Sequence, residues 1–105
     1  MSIGEKNRYI QIQAPTEVDD GQGGYITTWV RVADVYAKIT PLSTHRKFEA
    51  AQSGINASHE IKIRYRNPMK TSWRFSYRDR YFAIGGIKNE DEADRWLIIL
   101  ALEAS

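Results

Sequence analysis

Hydrophobic and polar residues alternate along most of this chain with a period of two, the period of a β-strand with one buried face. Residues 8–13 open the pattern, with Ile10 and Ile12 on one side and Gln11 and Gln13 on the other. Ala14-Pro15 breaks the run. Residues 16–24 contain Asp19-Asp20-Gly21-Gln22-Gly23-Gly24, a long turn whose glycines tolerate positive φ. Residues 25–32 are rich in β-branched and aromatic side chains, among them Ile26, Thr27, Thr28, Trp29 and Val30. After a second break near Ala33-Asp34, Val35, Ala37 and Ile39 alternate with Tyr36, Lys38 and Thr40 as far as Pro41.

The cleanest strand spans residues 59–66, with Ile61, Ile63 and Tyr65 expected inward and Glu60, Lys62, Arg64 and Arg66 outward. Asn67-Pro68 turns the chain. Trp73, Phe75 and Tyr77 then alternate with Arg74, Ser76 and Arg78, and Arg78-Asp79-Arg80 makes a tight turn. Residues 81–84 begin another strand, which Gly85-Gly86 bends or bulges. The last strand, residues 96–102, is apolar on both sides and so belongs in the middle of a sheet.

Only residues 43–54 carry a helical pattern. Ser43 or Thr44 is the expected N-cap and Gly54 the stop, with Phe48, Ala51 and Ile55 as a thin apolar stripe. His45, Arg46 and Lys47 put positive charge at the positive end of the helix dipole, and no capping box is present. The fold class this predicts is mainly β: a small closed or partly open antiparallel β-barrel of six to seven strands with one short helix. A barrel is preferred to a sandwich because closure removes sheet edges.

Length and composition agree with that picture. The 105 residues make one domain, residues 1–105, and 42% hydrophobic content with a net charge of +2 is enough to build a core. Without cysteine there is no disulfide scaffold, thiolate metal site or thiol nucleophile. The longest apolar run, residues 96–102, falls far short of the ~20 residues a spanning helix needs. The first six residues lack the apolar stretch of a signal peptide, so an intracellular, soluble chain with no membrane contact is expected. Charge is unevenly spread: residues 62–80 hold Lys62, Arg64, Arg66, Lys70, Arg74, Arg78 and Arg80 against the single acid Asp79. Glu90, Asp91, Glu92 and Asp94 follow as an acidic run.

Candidate chemistry is sparse. His45 and His59, the only histidines, form no metal-binding spacing and read as surface residues. The acidic run lacks the oxygen spacing and turn glycine of a calcium loop, and residues 21–24 match neither a P-loop nor a dinucleotide fingerprint. No nucleophile motif is present, so neither a catalytic group nor a cofactor is expected. A nucleic-acid-binding barrel is the alternative, because Trp73, Phe75 and Tyr77 interleave with arginines as in base-stacking proteins. The two-residue period places all three aromatics on one face, however, and an aromatic inner wall is what a barrel core requires.

A resemblance emerges from the ordered set of these segments. Arg8-Tyr9-Ile10-x-Ile12-Gln13, Asp19/Asp20 with Gly23-Gly24, and Trp29 resemble the opening of the phage head–tail joining family, also called head-closure or stopper proteins. Val35-x-Ala37-x-Ile39-x-Pro41-Leu42-Ser43 continues it, followed by a polar segment with Glu49 and Ala51-Gln52. Ile61-x-Ile63-Arg64-Tyr65-Arg66, Arg80-Tyr81-Phe82-x-Ile84-Gly85-Gly86-Ile87 and residues 97–103 complete it. The approach to the last strand, residues 89–94, is more acidic than the family pattern.

The resemblance implies a structural component of a tailed-phage or prophage neck. It would sit at the head–tail interface in the virion and in host cytoplasm before assembly. Its implied partners are a portal or adaptor ring on the head side, a tail completion or terminator protein on the tail side, further copies of itself in a ring, and packaged DNA without sequence specificity. The resemblance also marks residues 43–58 as the mobile element facing the channel. Ser43, His45, Arg46, Lys47, Phe48, Gln52 and Gly54 are its gate candidates. Charge asymmetry nominates Lys62, Arg64, Arg66, Arg74 and Arg78 on one side of the inter-subunit or ring-to-ring interfaces, and Glu90, Asp91, Glu92 and Asp94 on the other.

Overall fold

Each alternating run becomes a strand whose apolar side lines one interior. The computed structural model describes residues 7–104: β1 (Asn7–Asp19), β2 (Tyr25–Pro41), α1 (Thr44–Gln52), β3 (His59–Arg64), β4 (Arg74–Tyr77), β5 (Arg80–Asn89), a 3-10 turn (Glu90–Glu92) and β6 (Trp96–Ala104). Residues 1–6, where no apolar leader is expected, lie outside the described residues. The strands are antiparallel and close into a barrel in the order β1-β2-β3-β6-β5-β4, with β4 returning to β1. Ile10, Ile12, Ile61, Ile63, Phe75, Phe82 and Ile99 are its largest fully buried side chains. Leu97 and Ala101 join them from β6, which lies between β3 and β5.

Two expected breaks are absent. β1 runs straight through Ala14 and Pro15, and β2 runs through Ala33 and Asp34. Pro15 is tolerated because it pairs across to Trp29 in a two-stranded ribbon with an open outer edge, where a missing donor costs no ladder bond. Near Ala33 the strand bulges: Ile12 faces Ala33 while Gln13 faces Arg31, so Val32 is the extra residue. The turn therefore shrinks to residues 20–24, with Gly21 and Gly23 at φ +79° and +86°. Among the described residues β1 pairs only with β2 past Gln13, so residues 14–32 project from the barrel as a hairpin arm.

The helix is shorter than expected, and its buried side differs. Ser43 caps it, its Oγ accepting the Arg46 N–H at 3.2 Å, and Gly54 turns the chain at φ +80°. Phe48 and Ala51 point to solvent, and the residue that meets the barrel is Ala50, whose small side chain permits close approach. Ile55 does pack inward, over the β5 bulge. A Cβ on Gly85 would stand 3.1 Å from Ile55 Cγ2 and 3.3 Å from the Leu100 carbonyl, so glycine makes the seat for that side chain. Tyr65 is the other departure. β3 ends at Arg64, the Tyr65 N–H donates to the Arg95 carbonyl at 2.9 Å, and the ring is exposed.

Phe75 on β4 and Phe82 on β5 stand opposite each other and are fully buried. Replacing either with alanine should lower unfolding free energy in urea by about 3–5 kcal/mol. Against total stabilities of ~5–15 kcal/mol such a loss is large, and the urea midpoint should fall well below that of the wild type. Tyr9→Ala, at an exposed site on the outer wall, should cost much less.

Candidate functional site

The two ends of the barrel carry different equipment. One end holds the β2–β3 connection with α1, the β4–β5 turn and the last residues of β6. The other holds the arm, the β3–β4 connection and the acidic β5–β6 connection.

At the α1 end, residues 42–58 form a loop tied at its base. The Leu42 N–H donates to the Ser58 carbonyl at 3.0 Å, and the Ser58 N–H donates to the Ala101 carbonyl at 2.8 Å. The Ser58 hydroxyl accepts the Glu103 N–H at 2.8 Å and lies 2.8 Å from His59 Nδ1. Arg80 completes the clamp, donating from Nε and Nη2 to the two oxygens of Glu103 at 2.8 and 3.0 Å. The end of the segment that the resemblance marks as mobile is thus fastened, with Ala57 buried and Ser58 at the knot. His59 is also misjudged by its flanking position: its side chain is only 13% exposed and its ring meets Phe82 edge-on at 5.3 Å. Although serine, histidine and glutamate converge here, the Ser58 oxygen is occupied by a bond that holds the fold, and none of the three lines the cleft beside α1.

Between these fastenings most of the loop is exposed. Ser43, His45, Arg46, Lys47, Phe48, Gln52 and Gly54 are all exposed. Arg46 pairs with Glu60 on β3, and His45 lies 3.5 Å from Glu49. Among the described residues Lys47 has no ion-pair partner. A cleft of about 350 Å³ separates Arg46 and Ile55 from Ile87, Ile98 and Leu100 on the barrel wall. A nine-residue helix with such slight support is marginal on its own.

The charged interface candidates gather mostly at the other end, and several already have partners. Lys62 pairs with Glu90 at 2.9 Å, so the basic and acidic groups meet within one subunit. Lys62 and Arg64 lie over the Trp96 ring at 5.4 and 5.1 Å. Arg74 is sandwiched between Trp29 and Tyr81, 4.1 and 4.2 Å from the ring centres, while its Nε donates to Gln13 at 2.7 Å. Arg66 Nε is buried without a hydrogen-bond partner. Arg78 covers Tyr77 at the opposite end. Asp94 is held by Asn89, and Asp91 and Glu92 are open to solvent. Phe75 is fully buried, and Trp73 and Tyr77 pack against the core, so these three present no stacking platform. Among the described residues, no three histidine or acidic side chains are placed to share a metal ion, and no helix is long and apolar enough to cross a membrane.

The profile of the phage head completion proteins matches residues 1–104. The chain belongs to that family. No curated protein matches it. In fold it is similar to protein SF1141 from Shigella flexneri 2a, with a TM-score of 0.77 and 24% identity over 100% of this chain and 98% of that one. It is also similar to a chain of the native gene transfer agent virion particle, with a TM-score of 0.65 and 20% identity over 93% and 94%. Head completion proteins are structural components of the virion, and the two ends of this one are the surfaces described above. Two features bearing on those surfaces were hidden from sequence reading. Ser58, Arg80 and Glu103 are far apart along the chain, and only β6 returning beside β3 and β5 unites them. The arm was legible in part, since Ile26, Thr28 and Val30 already alternate.

Burial holds the His59 imidazole below the ordinary histidine range; Glu103 draws it back up while Arg80 and Lys47 push it further down. Below its ordinary value of about 6.5 the unfolded chain therefore binds more protons than the folded one. Stability should fall as pH drops from that value to the lower folded one, and His59→Gln should flatten the slope in denaturation midpoints taken between pH 7 and 5. The Arg80 hydrogen bond lowers the Glu103 carboxyl in turn, which adds a separate loss at more acidic pH. For the head completion protein's arm, Arg74→Ala should cost about 1–3 kcal/mol and speed amide exchange in residues 25–31. Arg74→Lys should behave nearly as badly, because the planar stack and not the charge alone holds Trp29.

Proposed function

We propose that this head completion protein is one copy in a ring at the phage or prophage neck, beneath the portal or its adaptor. The ring receives the tail completion or terminator protein below and closes the DNA channel. Its role is assembly and not catalysis.

One observation supports the gate assignment above the others: residues 42–58 are tied at their base to Ala101 and Glu103, while α1 between the ties is exposed except for Ala50 and the Arg46–Glu60 pair. A segment fastened in this way can swing or reorder without disturbing the barrel, and two such arrangements need differ by only a few kcal/mol. Lys47 faces solvent from α1, where it suits phosphate contact without base specificity, and Arg46 could join it on release from Glu60. Arg64, Arg78, Asp91 and Glu92 are exposed and remain available to neighbouring subunits or rings. Contacts of that kind weaken with salt, so the isolated chain should be monomeric in dilute solution and assemble on a partner ring.

Labelled copies in purified particles should lie at the neck; copies inside the capsid or along the tail tube would refute the assignment. Amides of residues 46–52 should exchange well before those of the strands in the free protein. Deleting residues 46–55 should let assembled heads lose their DNA, and undiminished retention would sink the gate.

A further inference from the structure

The hairpin arm carries more exposed apolar side chain than its size warrants. In β1, Ala14, Thr16 and Val18 continue the inward face of Ile12; in β2, Val30, Thr28 and Ile26 continue that of Ala33. The inner-wall pattern of the barrel thus runs on past the point where the barrel stops. Beyond that point nothing in the described residues lies over it: Val18, Ile26 and Val30 are 45%, 53% and 50% exposed. Neither edge of the ribbon is paired, since β4 leaves β1 at Gln13 and β3 leaves β2 at Ala37. Unpaired edges beside an apolar face are a liability that proteins cover or blunt. Here lysine is not used and Pro15 interrupts only the β1 edge; the one cation of the arm, Arg31 at its base, is paired with Asp34, and Glu17, Asp19 and Asp20 carry the rest of its charge.

The complement of that surface is found on the same chain. Residues 64–70 hold Arg64, Arg66 and Lys70 with no acid, and they flank the exposed Tyr65. The arm cannot fold back to reach them. Its base is pinned by Trp29 on Arg74, and its tip stands roughly 20 Å beyond the β1–β4 seam at ordinary strand rise. None of its three acids has an ion-pair partner among the described residues.

We infer that the arm of one copy docks on a second copy of this chain, its apolar face covered there and its acidic tip set against Arg64, Arg66 and Lys70. The contact joins two different surfaces, which is the head-to-tail arrangement a closed ring requires. The inference rests on the ring reading above and gives it a definite interface. It also moves the acidic side of the contact away from the 90–94 loop, where Glu90 is already spent on Lys62 and Asp94 on Asn89.

A charge exchange tests it. Glu17→Lys with Asp19→Lys turns the arm positive, and Arg64→Glu with Lys70→Glu turns the basic connection negative. All four residues are exposed; Asp19 also accepts the Gly21 N–H and Arg64 lies over Trp96, so both variants should melt within a few degrees of wild type and are used only if they do. Each is supplied alone to assembling particles, then both together, and copies per particle are counted by quantitative mass spectrometry. Either variant alone should be depleted about tenfold or more. The two together should recover to near the wild-type level, because each then finds its opposite charge on an alternating neighbour. Depletion without recovery would mean that the surfaces meet different partners, and undiminished incorporation of either variant would mean that its charges are not at a contact; both outcomes overturn the arm contact while leaving the ring in place. Wild-type protein absent from the neck would overthrow the ring reading, and the arm contact with it.

Discussion

The barrel closes along a seam of three residues, Gln11, Ile12 and Gln13 of β1 against Ser76, Phe75 and Arg74 of β4. Everything else follows from how short that seam is. β4 is four residues long, so it can accompany β1 for less than one full face of the barrel, and β1 must then leave. The seam is secured from both sides. Ile12 and Phe75 close it inside with no residual exposure, and outside Arg74 bonds to Gln13 while lying between two aromatic rings. Opening it would bare two strand edges and the centre of the core together.

Because closure occupies the middle of β1, the molecule divides into a rigid waist and two dissimilar ends. The α1 end is polar and held by directed bonds: backbone ties at Leu42 and Ser58, and a carboxylate–guanidinium pair between Glu103 and Arg80. These fix the base of a loop whose crown is held only by Ala50, Ile55 and the Arg46–Glu60 pair. The arm end is apolar on one face, acidic at the tip and basic beside its base. The two ends therefore differ in kind: one holds a loop by directed bonds at its base, and the other exposes an apolar face with charges beside it.

Much of this was legible in the alternation of residues. Ile10/Ile12, Ile61/Ile63 and Phe75 with its aromatic neighbours announce the inner wall, and Gly85-Gly86 announces a bulge that the register shift between Ile84 and Gly86 bears out. The family was legible too, since the ordered segments resemble head-closure proteins and the profile match covers residues 1–104. The misreadings share one cause. Pro15, the Ala33-Asp34 pair, Phe48 and His59 were each weighed by local propensity, whereas their outcome depends on which neighbour covers them. Pro15 survives in a strand because its far edge is open, and His59 is sheltered because Phe82 and Glu103 arrive from distant strands.

By itself, then, the sequence determines the strand faces, the single weak helix, the uneven charge and the family, because period, composition and turn residues act over a few positions at a time. Which charges remain free was decided only by tertiary structure. Lys62 and Glu90, 28 positions apart, neutralise each other, and Arg74 is held by residues from β1, β2 and β5. The acids of the arm, by contrast, are left without an ion-pair partner among the described residues. Pairing across a closed barrel depends on strand order and register, and these are properties of the whole sheet that no local pattern encodes.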